Sequence, residues 1–215
     1  MECQILMIPF NSLTKLSILV STLLLFCVTP QVTAGEFNPV LNIGDKSPKW
    51  TDLPGVDGKK HSLVDLKNEV VLVVFTCNSC PYAVDYEKRL IDFSSKYSDV
   101  ALVAINVNKV AEDNFDAMKE KAKARGFKFN YLFDESQQIA RDFGATYTPE
   151  FFVLNKERKV VYMGAMDDDP SGRNIKQHYV HDAVVSLKKG GQIKTAETIA
   201  IGCRIRMERK RRRRK

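Results

Sequence analysis

The chain has 215 residues, 44% hydrophobic and 27% charged, a composition that suits one globular domain with extensions and excludes a disordered or collagen-like polymer. Its formal net charge is +7, yet nine Lys and Arg stand in the last twelve residues, RIRMERKRRRRK. Without that tail the remainder is close to neutral, so the charge gives no ground for a nucleic-acid-binding domain.

Residues 1–34 read as a signal peptide. An unbroken low-polarity run from Leu16 to Val28 is followed by Pro30 and by the small-residue sequence Val32-Thr33-Ala34, the pattern a signal peptidase cuts. The run is short for a bilayer span. The expectation is an exported, periplasmic or otherwise extracytoplasmic protein, with membrane anchoring by an uncleaved leader as the alternative. Residues 35–43 form an approach segment. Pro54-Gly55 and Asp57-Gly58 are turn signals between short extended pieces, and Val70 to Phe75 is a buried strand. Pro81 suits the first turn of a helix, where its missing N–H costs nothing; that helix runs to about Tyr97. Ala101 to Val107 is a second buried strand, and Asn114 to Arg125 a helix stopped by Gly126. A short strand (Asn130 to Phe133), a short helix (Gln137 to Phe143) and a hairpin opened by Pro149 come next. Asn174 is the candidate cap of a last helix that Gly190 ends. Alternating strands and helices closed by a hairpin imply an α/β sandwich, with a central mixed sheet of about five strands covered on both faces. It is one domain, residues 44–190. Residues 191–215 form a C-terminal extension whose basic tail is expected to be solvated and disordered, touching at most an anionic surface.

Of five cysteines, Cys3 and Cys27 lie in the leader, leaving Cys77, Cys80 and Cys203, too few for a disulfide-stapled scaffold. Cys77 and Cys80 sit where a β-branched run gives way to a helical pattern. A helix N-terminus offers unpaired N–H groups and a positive dipole end that lower a thiol pKa. Two intervening residues let the sulfurs approach bonding distance. Three other readings compete with a redox couple. A structural disulfide more often tethers distant elements. A zinc half-site needs further ligands, and only Cys203, His61, His178 and His181 are available, so no metal and no cofactor is expected. The remaining reading is an adaptor domain without catalysis.

The segments GDKSPKWTDLPGVDGKKHSLVDLKNEVVLVVFT, CNSCP, YTPEFFVLN and KVVYMG together resemble the thioredoxin-like superfamily, in the redoxin branch of alkyl hydroperoxide reductase/thiol-specific antioxidant (AhpC/TSA) proteins and exported thiol oxidoreductases of the ResA type. The Cys-Asn-x-Cys-Pro motif with a terminal Gly202-Cys203 is similar to that of a peroxiredoxin-like subgroup. The resemblance spans residues 44–203 and implies a thioredoxin-like three-layer sandwich carrying a CxxC redox pair. It further implies a cis peptide at Thr148-Pro149, set against the pair to orient an extended substrate. Cys77 is then expected to be the exposed nucleophile ahead of the helix, and Cys80, inside the first turn, to resolve the mixed disulfide. Cys203 is a candidate additional thiol. The partners so implied are a protein or small-molecule disulfide and a thiol reductant, with a hydroperoxide as the alternative substrate.

Two departures from the family pattern bear on mechanism. Thioredoxins carry a buried Asp six residues before the first cysteine, where this chain has Val71. Glu87 and Glu150 are the candidate bases in its place. In the Pro-x-x-x-Thr-x-x-Cys loop of peroxiredoxins, Cys80 takes the peroxidatic position, Cys77 the threonine position and Val73 the proline position. The expected function is an exported thiol–disulfide oxidoreductase in redox homeostasis. The alternatives are a thiol peroxidase or a non-enzymatic metal-binding or adaptor domain.

Overall fold

Six consecutive apolar residues make β3, Val70–Phe75, and every one of them is buried. A strand apolar on both faces needs cover on both sides, and the computed structural model, which describes residues 35–208, supplies it. Ahead of β3, strands β1 (Leu53–Pro54) and β2 (Lys60–His61) pair antiparallel around the two glycine turns. Beyond β3 come α1 (Pro81–Lys96), β4 (Val100–Asn106), α2 (Phe115–Arg125), β5 (Asn130–Phe133) and α3 (Gln138–Phe143). Then follow β6 (Tyr147–Thr148), β7 (Glu150–Leu154), β8 (Val160–Gly164), α4 (Tyr179–Lys188) and β9 (Cys203–Arg204).

The central sheet has five strands in the order β5-β4-β3-β7-β8. The β3–β4 and β4–β5 pairs are parallel, while β7 and β8 are antiparallel to their neighbours. Side-chain alternation along β3 divides the core. Val71, Val73 and Phe75 meet Ile139, Ala140 and Phe143 of α3, together with Leu41, Trp50 and Leu63 from the N-terminal segment. Val70, Leu72 and Val74 face α1, α2 and α4 through Leu90, Met118 and Val184. At roughly 1.5–3 kcal/mol for each fully buried large apolar side chain, these two faces hold the sheet rigid beneath its carboxyl edge. This is the thioredoxin-like sandwich expected from the sequence.

Two local expectations fail. The last helix starts at Tyr179, with His178 at its cap position, and Asn174 lies in the preceding loop. There Asp168 accepts the backbone N–H groups of Lys176 and Gln177, and Asp169 those of Ser171 and Asn174. Aspartates that bind nearby amides in this way hold the chain in a loop and delay the helix. The basic tail was expected to be free from Arg204 onward, but Arg204 to Glu208 are docked. The Ile205 N–H donates to the Thr146 carbonyl (2.9 Å), the Arg206 N–H to Asn108 Oδ1 (3.1 Å) and the Glu208 N–H to Gln137 Oε1 (2.7 Å). Charge composition carried no trace of these backbone bonds. The leader and residues 209–215 lie outside the described residues, among which no helix is long and apolar enough to cross a membrane.

Candidate active site

At the end of β3 the chain must turn from sheet into helix, and the cysteines sit in that turn. The Thr76 N–H still donates to the Ile105 carbonyl (3.0 Å). Cys77, Asn78 and Ser79 then leave the sheet, Cys80 is the N-cap of α1 with extended backbone, and Pro81 takes the first helical position. A buried polar clamp reached through β4 fixes the turn. Asp113 accepts the Ser79 N–H (2.8 Å), the Ser79 hydroxyl (2.7 Å) and the Asn108 amide (3.0 Å). Asn78 donates to the Glu112 carbonyl (2.9 Å) and accepts from the Tyr131 hydroxyl (3.0 Å).

On the opposite side lies Thr148-Pro149, a cis peptide. The Thr148 carbonyl accepts the Cys80 thiol at 2.9 Å, and the Thr148 hydroxyl oxygen is 3.6 Å from Cys77 Sγ. Thr148 pairs in turn with Cys203, because β6 and β9 run antiparallel with Thr148 opposite Cys203 and Tyr147 opposite Arg204. Gly202 permits that approach: a Cβ there would lie 2.2 Å from the Thr148 carbonyl oxygen. Cys203 therefore rests against a cluster made of Cys77, Cys80 and Ala83. Thus Cys77, Cys80, Thr148, Pro149 and Cys203, separated along the chain, are brought into one place.

The thiols are not equivalent. Cys80 is held below the ordinary thiol range, first by the hydrogen bond from Cys77 and then, against the opposing cost of burial, by donors from Cys203, the Ala83 amide and the Thr148 hydroxyl. Cys77 is pushed up by the same shared hydrogen bond, by burial and by the nearby charge of Asp113. Two thiolates in contact cannot both form, so the pair gives up one proton at most, and its loss is favoured from Cys80, whose thiol otherwise donates to the Thr148 carbonyl. Burial, followed by its contact with Cys80, raises Cys203 as well.

Several expectations change here. Cys77 is not the exposed member, since Cys77 and Cys80 are 4% and 2% exposed, and Cys80 caps the helix rather than lying within its first turn. The backbone edge beside Thr148-Pro149, expected to receive an extended substrate, is occupied by β9. Neither candidate base points at the sulfurs. Glu87 is paired with Lys121 (2.7 Å) and Arg125 (2.9 Å), and Glu150 accepts the N–H groups of Thr146 (2.8 Å) and Tyr147 (3.0 Å). The carboxylate beside the pair is Asp113, which the sequence reading missed. Its one available signal was position, in the segment following β4 at the carboxyl edge of parallel strands, where α/β sites form. His181 meets the Tyr97 hydroxyl through Nδ1. Among the described residues no group of three His, Cys, Asp or Glu side chains is arranged to hold a metal.

The model of the AhpC/TSA family matches residues 43–163, from the segment before β1 into β8. The chain belongs to the AhpC/TSA family. This AhpC/TSA protein is 30% identical over 126 residues to the thiol-disulfide oxidoreductase ResA of Bacillus thuringiensis (strain Al Hakam), an alignment covering 56% of this chain and 68% of that one. Among solved structures it is similar to an uncharacterized conserved protein of Geobacillus kaustophilus (TM-score 0.75, 29% identity, 80% of this chain and 95% of that one). It is also similar to a hypothetical protein of Sinorhizobium meliloti 1021 (TM-score 0.74, 32% identity, 80% and 97%). The family match ends at Met163, so β9 and Cys203 lie beyond the part of the AhpC/TSA protein that defines the family.

Proposed function

We propose that the chain is a thiol–disulfide oxidoreductase in which Cys80 attacks and Cys77 resolves. The observation that carries the reading is the packing of the two cysteines together at the start of α1, under Thr148, with proton loss favoured at Cys80. The thiolate attacks a substrate disulfide and expels one substrate sulfur. Cys77 then gives its proton to the first departing thiolate, attacks the Cys80 sulfur, expels the other substrate sulfur and leaves a Cys77–Cys80 disulfide. Both departing thiolates take up protons. Thr148 orients the reacting sulfurs, Pro149 shapes the loop that presents Thr148, and an external thiol restores the dithiol. The name borne by the ResA relatives agrees with this chemistry. The leader pattern supports export, with residues 1–34 removed. Trapping on a small disulfide tests the assignment. With Cys203 also replaced by Ser, Cys77→Ser should accumulate a mixed disulfide on Cys80, and Cys80→Ser should accumulate none on Cys77; the reverse pattern would return the attack to Cys77.

A second reading has its own support. Cys80 followed by Pro81 at the head of α1 corresponds to a peroxidatic cysteine, and it is the thiol of the pair from which proton loss is favoured. Its thiolate would take the terminal oxygen of a hydroperoxide, releasing an alcohol and forming a sulfenic acid. Cys77 would then displace water to give the same disulfide. Parallel rates on hydrogen peroxide and on a small neutral disulfide separate the two readings.

A further inference from the structure

Cys203 is unaccounted for by a two-cysteine couple, yet the fold spends several contacts on placing it. Its strand pairs with the loop bearing Thr148, Gly202 lets the two backbones close, and Cys203 packs on the cluster that holds the pair. It contacts Cys80, the sulfur common to every covalent step proposed above. Cys77 and Cys80 are buried, whereas Cys203 is half-buried, so it is the one thiol of the three with a face toward solvent. β9 also lies along the edge that an extended substrate would use.

We infer that Cys203 is a third redox thiol, which forms a disulfide with Cys80 and carries the exchange between the buried pair and the external reductant. The inference rests on the dithiol reading of Cys77 and Cys80. Once Cys80 bears a substrate sulfur, Cys203 loses its proton to solvent and attacks the Cys80 sulfur. The substrate thiolate leaves and is protonated, and a Cys80–Cys203 bond remains. One substrate disulfide has been reduced to two thiols, and two protein thiols have been oxidised. Cys77 reaches the same state from the other direction: as thiolate it attacks Cys80 and releases Cys203, so the two protein disulfides interconvert without any outside oxidant. An external thiol enters at the Cys203 sulfur, which is reachable without unfolding the turn.

Peptide mapping decides the matter. Trypsin places Cys77 and Cys80 in residues 68–88 and Cys203 in residues 195–204. The reduced full-length chain is mixed with hydroxyethyl disulfide, quenched in acid at a series of times, alkylated and digested without reductant. The expected result is a cross-link between the two peptides, accumulating in Cys77→Ser and transient in the unsubstituted chain. Cys203→Ser should lack the cross-link and, once oxidised, should be reduced by glutathione at least about tenfold more slowly. If Cys77→Ser instead keeps the hydroxyethyl group on Cys80 with Cys203 fully alkylated, the inference is wrong, although the unsubstituted chain still forms the bond within residues 68–88. If that internal bond does not form either, the dithiol reading itself has failed. Should Cys77→Ser not fold, early time points of the unsubstituted chain read the same cross-link, and its absence there overturns the inference.

Discussion

The two halves of the thiol site are built to different standards. The Cys77–Cys80 turn hangs from β3, between strands buried on both faces, and the side chains that anchor it, Asp113 and Tyr131, are themselves buried. The Cys203 half is a two-residue strand on the rim. Of residues 199–208 only Ile205 is buried, and the attachment is chiefly backbone bonding and one glycine contact. The contrast shows that a reactive group can be given a fixed position by burying its supports, or a detachable one by pairing a short edge strand. This site uses both on the same sulfur.

The sharpest break of the rigid half is Cys80→Ala, which removes the sulfur proposed to exchange with both Cys77 and Cys203. Turnover on a small disulfide is expected to fall at least about a thousandfold, measured as thiol release. Glu150, whose carboxyl holds the Thr146–Tyr147 backbone under both halves, is pushed up to about 7 by burial, against the opposing amide bonds. The folded chain therefore keeps this proton more tightly than the unfolded one, so the stabilisation is present below pH 4.5 and lost as pH rises through about 7. Glu150→Gln still accepts from both amides but cannot ionise. It should match the parent at pH 4 and exceed it by about 3 kcal/mol at pH 8 in urea denaturation.

Asp113→Asn sets an amide against the donors of Ser79 and Asn108 and should cost about 2 kcal/mol. It also withdraws the negative charge near Cys77, so alkylation of Cys77 in a Cys80→Ala background should titrate at lower pH. No downward shift would mean that Asp113 only holds the turn. Gly202→Ala, the mildest change, drives a Cβ into the Thr148 carbonyl. We expect about 1 kcal/mol of global destabilisation, with most of the effect local: faster hydrogen exchange of the Ile205 amide and easier alkylation of Cys203. Equal exchange in both proteins would show that β9 is as firmly fixed as the cysteine turn.

The rigid half was legible because local pattern encodes it. The β-branched run at Val70–Phe75 demands a buried strand, Pro81 marks the helix start, and the CxxC spacing lies between them. Gly126 ended α2 in left-handed conformation, as its position implied. The Cys203 half was not legible because its attachments are tertiary and involve backbone. Nothing in Gly202-Cys203-Arg204 states that the strand pairs with Tyr147–Thr148, and the run of positive charge after it argued for solvent. The role of Asp113 was hidden for a related reason: its partner Ser79 is far away in sequence, and a lone acidic residue in a loop has no period to betray it. The order of the two cysteines did not reveal where the helix starts: it begins one residue after Cys80, which supports the second thiol as the proposed nucleophile.

Chain direction gives the position of β9 a further consequence. All five strands of the central sheet are complete at Gly164, and the turn, the cis-proline loop and α1 all precede that point. Cys203 is delivered last. During synthesis, an N-terminal portion that includes all five strands of the sheet already carries both inner thiols, with the loop edge beside them open. The site is therefore for a time one of two thiols with a bare docking edge, and gains its third thiol and its cover only when the final segment arrives. Any oxidant met in that interval acts on a different molecule from the finished one.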